Sequence, residues 1–238
     1  MARGYPDFAG SVGTNQEGQF LQTLARPPVW FHDNFDSPTI KWTADVGSIR
    51  IRTDSLGGLL PGMFMSGSGI LFMTADPNHN AQVSKQITGN RLNSRVGIAV
   101  NFWLYPLISY GNLWNSILPI HFTIYDVDKY YTMMIGYNST TGKWYWSGDG
   151  GATSIEVCEV LHTADGVNFV KLIFDPVTRT PVSLQVNSES YSLSSYTITQ
   201  YDKTNTRLYA SALFYFHGNA ANYGYVAIDD YLVTYGET

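Results

Sequence analysis

Glu156 and Glu159, three residues apart, come closer to acid–base chemistry than any other carboxyl pair in this sequence. Glycoside hydrolysis needs two carboxyl groups about 5 to 9.5 Å apart, one on each side of the scissile bond. Side chains alternate along a strand, so residues three apart point to opposite faces, and the spacing predicts no catalytic pair. The plainer role for both is a solvated edge or turn. His32, His79, His121, His162 and His217 lie far apart with no His-x-x-x-His pair, and the single cysteine, Cys158, excludes a cysteine-built metal site and an internal disulfide. No Gly-x-Ser-x-Gly elbow occurs, and Ser66-Gly67-Ser68-Gly69 reads as a flexible turn. Gly136 to Gly142-Lys143 has five intervening residues where a phosphate loop has four, and Trp144 stands where that loop needs Ser or Thr. The sequence therefore predicts a protein that is not an enzyme.

Aromatic side chains offer binding rather than catalysis. Tyr130, Tyr131, Trp144, Tyr145 and Trp146 belong to one predicted hairpin, with Trp144 and Trp146 on one face and Tyr145 on the other. One of those faces must be core. The cluster therefore has three readings: core packing, a subunit contact, or a glycan platform of Trp144, Trp146 and Tyr145.

The elements that would position these residues are all strands. From Pro28 onward, short apolar–polar alternations are broken by Gly, Asn, Asp and Pro, with no helical period. Strands are predicted at Val29 to Phe35, Ser48 to Thr53, Gly69 to Thr74, Ala81 to Ile87, Val96 to Leu104 and Ile117 to Asp126. In Ile49-Arg50-Ile51-Arg52 the isoleucines should be buried. Tyr130 to Tyr137, the polar turn Asn138 to Gly142, and Lys143 to Trp146 form the clearest hairpin. Ser147 to Gly151 turns into Thr153 to Val157. Further strands follow at Asn168 to Phe174, Val182 to Val186 and Tyr191 to Leu193. The two longest, Arg207 to His217 and Tyr223 to Tyr235, should be central. No segment repeats at a fixed period, which argues against a propeller or solenoid.

The chain has 238 residues, 44% of them hydrophobic and 15% aromatic, but only 14% charged, with a net charge of -5. That length suits one β-sandwich, and the weak negative charge disfavours nucleic acid as a partner. No run is long enough for a helical membrane span, and the N-terminus lacks a secretion signal, so a soluble product made in the cytoplasm is expected. Met1 to Arg26 is built differently. Gly4, Gly10, Gly13 and Gly18 interrupt it, and Pro27-Pro28 closes it, so residues 1–28 read as an extended arm and 29–238 as the body. Tyr5, Phe8, Phe20 and Leu21 could dock the arm on a neighbouring subunit. Met63, Phe64 and Met65 in the glycine-rich loop Leu56 to Ser68, and Trp114 in the loop Pro106 to Pro119, either fold back on the core or make subunit contacts.

Several segments resemble concanavalin A-like jelly rolls of the lectin and glucanase type. Phe31-His32-Asp33-Asn34-Phe35-Asp36 followed by Lys41-Trp42 resembles their opening strand. Ile135-Gly136-Tyr137 through Lys143-Trp144-Tyr145, then Val170 to Asp175, resemble the inner-sheet meander. Val226 to Thr234 resembles the last strand, which in that architecture lies beside the first. The resemblance implies an antiparallel β-sandwich over about residues 29 to 235. Glycosidases of this fold carry Glu-x-Asp-x-x-Glu or Glu-x-Asp-x-Glu on one strand, and this sequence has neither. Such sandwiches often tie first and last strands with calcium, for which Asp33, Asp36, Asp229 and Asp230 are the candidate ligands; alternatively the first two shape a turn and the last two accept backbone hydrogen bonds. No other cofactor is expected. Arg3 to Ser11 resembles the start of structural proteins of tailed bacterial viruses that carry similar sandwiches.

Together these features lead to an expected non-enzymatic structural protein of a virus particle, in capsid decoration, at a vertex or on a tail. Made in the cytoplasm of a host cell and carried in the virion, it would assemble with copies of itself and with other virion proteins such as the major capsid protein. The alternative is a carbohydrate-binding module using exposed Trp and Tyr side chains.

Overall fold

The computed structural model describes residues 28–37, 39–46, 48–52, 70–76, 79–88, 93–104, 114–126, 128–138, 141–159, 167–202, 209–218 and 224–237. All of its regular elements are strands: β1 (Val29–Asp33), β2 (Thr43–Val46), β3 (Ser48–Arg52), β4 (Ile70–Ala75), β5 (Asn80–Thr88), β6 (Val96–Leu104), β7 (Trp114–Tyr125) and β8 (Lys129–Asn138) come first. Then follow β9 (Lys143–Ser147), β10 (Ile155–Glu159), β11 (Val167–Asp175), β12 (Thr180–Val186), β13 (Glu189–Ser192), β14 (Gln200–Asp202), β15 (Tyr209–Gly218) and β16 (Gly224–Tyr235). Among the described residues no helix is long and apolar enough to cross a membrane.

The strands form two antiparallel sheets of eight. The first runs β13-β12-β11-β6-β16-β4-β3 with β1 also on β16; the second runs β10-β9-β8-β7-β15-β5-β2 with β14 also on β8. Alternation explains why they face each other. Val96, Ile98, Val100 and Phe102 of β6 and Val226, Ile228, Tyr231 and Val233 of β16 point into one core with Ile120, Phe122 and Ile124 of β7 and Ala210, Ala212 and Phe214 of β15. The expected sandwich is present, and its first strand pairs with its last: Phe31, His32 and Asp33 lie opposite Val233, Leu232 and Tyr231. As expected, β15 and β16 are central, each flanked on both sides.

Two strands share their second edge between two partners. β16 pairs with β4 over Gly224 to Ile228 and with β1 over Tyr231 to Thr234, and the switch falls where a bulge shifts its register against β6 between Ile228 and Asp230. β8 pairs with β9 over Met134 to Asn138 and with β14 over Lys129 to Tyr131. β2 and β14 are absent from the sequence reading because each is too short to show a period. β7 begins at Trp114, three residues before the predicted Ile117, so Trp114 opens a strand instead of lying in the loop Pro106 to Pro119. Pro119 is tolerated there because the β7–β8 register shifts between Ile117 and Ile120, so no ladder bond is asked of its nitrogen.

The outward face of the first sheet carries a second apolar layer. Ile70, Phe72, Ala99, Phe169, Ala227 and Leu232 alternate with the core residues of their strands yet are at most 6% exposed. Two polar pairs lie on that face: His32 Nε2 lies 3.0 Å from Asp230 Oδ1, and Lys171 Nζ donates to Glu237 Oε2 at 2.9 Å.

Candidate functional site

Trp144 and Trp146 are each 1% exposed, with Tyr137 packed on Trp144 at 5.0 Å. They point inward, as core, so neither can serve as an exposed sugar platform; that reading of the pair is corrected. Tyr145 lies on the other face, half-buried.

The four aspartates proposed for calcium do not converge. Asp33 pairs with Tyr231, whose ring is core, and so points inward; there it accepts from Trp42 Nε1 at 3.2 Å and from the Phe35 amide at 3.1 Å, with Lys41 Nζ at 3.8 Å. Asp230, one residue before Tyr231, points outward to His32. Asp36 accepts from Asn34 Nδ2 at 2.8 Å in the turn after β1, and Asp229 lies fully buried at the β16 bulge. No three His, Cys, Asp or Glu side chains among the described residues are grouped for a metal. Asp33 and Asp36 thus shape the turn, which leaves these four residues a poor fit to a cation.

One expectation about the glutamates is overturned. Glu156 lies opposite Tyr145 and Glu159 opposite Lys143, with a bulge between Glu156 and Cys158. Tyr145 and Lys143 share a face, so the extra residue brings both glutamates to that same outward face. Glu156 is held by Lys143 Nζ at 2.8 Å, and its side chain is 49% exposed on an edge strand.

The most organised solvent-side feature is a row of four tyrosines across four neighbouring strands of the second sheet. Tyr209 lies opposite Tyr125, Tyr125 opposite Tyr130, and Tyr130 opposite Tyr201, so β15, β7, β8 and β14 each contribute one half-buried ring. Ring centroids are 4.3, 5.8 and 5.3 Å apart, with planes within 26° of parallel. Tyr209 and Tyr125 stack closely, and the two wider pairs stack with an offset. Burial, and Tyr209 beside it, raise the Tyr125 hydroxyl above its ordinary pKa.

At the β14 end the row meets a polar depression of about 160 Å³. Asp149, Thr153, Tyr196, Thr197 and Thr199 line it, together with a buried edge of Trp146. Tyr201 donates its hydroxyl to the Asp149 carbonyl at 2.8 Å, which joins row and depression. The turn holding Asp149 is tightly bonded: Oδ1 accepts from Ser147 Oγ at 2.8 Å and from the Thr153 amide at 3.0 Å, and Oδ2 from Thr153 Oγ1 at 2.6 Å. The Thr153 hydroxyl and amide, then the Ser147 hydroxyl, hold the Asp149 carboxyl down at about 2. Gly150 and Gly151 have φ of +71° and +95°, backbone that other residues adopt only under strain. A Cβ on Gly148 would meet the Thr197 carbonyl at 2.1 Å, and Thr199 donates its amide to Gly148 O at 2.7 Å. The two walls therefore lock together through backbone.

The sequence reading missed this site because the four tyrosines are scattered over Tyr125 to Tyr209 and meet only through strand pairing. The one local signal was Tyr125 and Tyr130 on either side of the short Asp126 to Lys129 connection. Tyr5, Phe8, Phe20, Leu21, Met63, Phe64 and Met65 lie outside the described residues, and Trp114 is placed only as the first residue of β7.

No protein-family model matches the chain, and no curated protein matches it. Solved structures do share its fold. The catalytic domain of a glycoside hydrolase family 131 protein from Coprinopsis cinerea is similar at a TM-score of 0.51 and 11% identity, over 89% of this chain and 96% of that one. The carbohydrate recognition domain of Emp46p, in its metal-free form, is similar at 0.51 and 10%, over 87% and 96%. A carbohydrate esterase from the Shiga toxin-encoding bacteriophage phi24B is similar at 0.50 and 9%, over 82% and 90%. Identities this low show a shared concanavalin A-like sandwich and nothing of activity.

Proposed function

We propose that this chain binds carbohydrate, without turning it over, along the tyrosine row on the outward side of its second sheet and in the depression at the β9–β10 edge of that sheet. The observation that carries the reading is the tyrosine row running into the polar depression beside Asp149. Hydroxyl-bearing ring edges, threonine hydroxyls and a carboxylate make a surface of donors and acceptors on a rigid backing, which suits a polyhydroxylated ligand. The fold shared with a carbohydrate recognition domain supports it. The test is a glycan array probed with the wild-type protein, Tyr130→Ala and Thr197→Ala. Signals that fall in either folded variant support the site; an array silent for the wild type sinks it.

A second reading, a structural role in a virus particle in several copies, draws support from the fold shared with a bacteriophage protein and from the sequence of the arm. The partners would be other copies and the major capsid protein. Light scattering of the full chain beside a chain starting at Val29 tests it. A defined oligomer that weakens on truncation favours this role, whereas monomers in both, with or without capsid protein, argue against it. The two roles are compatible, since a particle's surface can carry sugar-binding domains.

A further inference from the structure

Asp149 is the one carboxylate among the described residues lining the depression, which include no Lys, Arg or His; the rest of the lining is Trp, Gly, Ile, Ser, Tyr and Thr. Its carboxylate is not compensated by a cation in that wall. Three donors from Ser147 and Thr153 hold it, and its own amide also bonds it, so a ligand meets a fixed negative charge. A group entering here must therefore donate a hydrogen bond or carry positive charge. An entering carboxylate would face Asp149 with no lysine or arginine in the lining to offset the repulsion. The wall cannot swing away to relieve it, because Gly148 packs against the Thr197 carbonyl and Tyr201 pins the Asp149 carbonyl.

We infer that the depression selects its sugar by charge, accepting neutral and amino sugars and rejecting uronic and sialic acids, with Asp149 as the discriminating residue. This rests on the carbohydrate-binding reading above. It adds the class of ligand, and it assigns to the Ser147 to Thr153 turn a role beyond joining β9 to β10. The carboxyl is ionised throughout the neutral and mildly acidic range, and the turn's hydrogen bonds extend that toward pH 2, so the selection persists there.

The test is a competition series on the wild-type protein with three sugars of one shape: methyl glucoside, its 2-amino analogue and its glucuronide. The amino sugar should compete at least as well as the neutral one. The glucuronide should be at least about fivefold weaker at low salt, the factor for like charges about 4 Å apart at the dielectric of bulk water, and the gap should narrow as salt is added. Asp149→Asn, checked for folding by its melting curve, should close the gap. If that variant does not fold, the wild-type series and its salt dependence decide alone. A glucuronide that competes as well as the neutral sugar overturns the inference and leaves carbohydrate binding standing. Failure of all three sugars, together with a silent glycan array, removes both.

Discussion

Lys171 on β11 reaches Glu237, just beyond β16, at 2.9 Å, with only 8% and 7% of the two side chains exposed. The Glu237 carboxylate also takes the Thr234 hydroxyl and fills the space above Gly97, where a Cβ would lie 2.3 Å from it. Removing one partner of such a pair leaves a buried charge uncompensated. Glu237→Gln or Lys171→Met alone is expected to cost about 3 to 5 kcal/mol in urea unfolding, and the double change Lys171→Met with Glu237→Leu much less. A double-variant loss equal to the sum of the two single losses would show that the charges are not coupled.

Asp149 has its carboxyl at about 2 in the folded chain against an ordinary 3.8, with the Thr153 hydroxyl as the first cause. A carboxyl depressed on folding stabilises the native state above its ordinary value and loses that contribution as pH falls through the folded value. Carbon NMR of the Asp149 carboxyl should therefore titrate near 2, and Thr153→Val should move the midpoint up toward 3.8. An unmoved midpoint would mean that Thr153 does not hold the charge.

Tyr130 stands at 5.8 Å from Tyr125 and 5.3 Å from Tyr201, so it couples β14 to the body of the sheet. Tyr130→Ala removes two cross-strand ring contacts and is expected to cost about 1 kcal/mol. Amide exchange should quicken at Gln200 to Asp202 while that of β9 stays unchanged. Uniform quickening over the whole sheet would show that the row supports global stability only.

Cys158 is 9% exposed, and burial pushes its thiol up to about 11. Near neutral pH the thiol is protonated and shielded, so an aromatic disulfide reagent should label it slowly. Labelling should accelerate in urea in step with unfolding. Rapid labelling of the native protein would place β10 away from the body.

What the sequence made legible was the set of long alternating strands. Tyr130 to Tyr137 and Lys143 to Trp146 show period two across an unmistakable turn, and β15 and β16 are long enough to be read as central. What escaped was everything that depends on a break in parity. The three-residue spacing placed Glu156 and Glu159 on opposite sides, and a bulge of one residue reversed it. The calcium set failed for a related reason. Asp229 and Asp230 sit at a bulge, and Asp33 lies across from the neighbour of Asp230, so carboxylates near in the fold point through opposite faces of one sheet. The tyrosine row was invisible because it runs perpendicular to the chain, where only pairing order, not spacing, brings residues together.

The position of β16 also bears on how the molecule is made. It is the last described strand in chain order, yet it joins β6 to both β4 and β1. Until it emerges from the ribosome, the first sheet exists as a β3–β4 hairpin and a separate β6-β11-β12-β13 group, with β1 having no partner strand. Final closure must bring residues about two hundred positions apart into register, a slow event for any chain. Nascent fragments that stop short of Gly224 would expose open strand edges on both groups. Such fragments would be substrates for chaperones, and the rate of production in a cell would follow how well those edges are shielded in that interval.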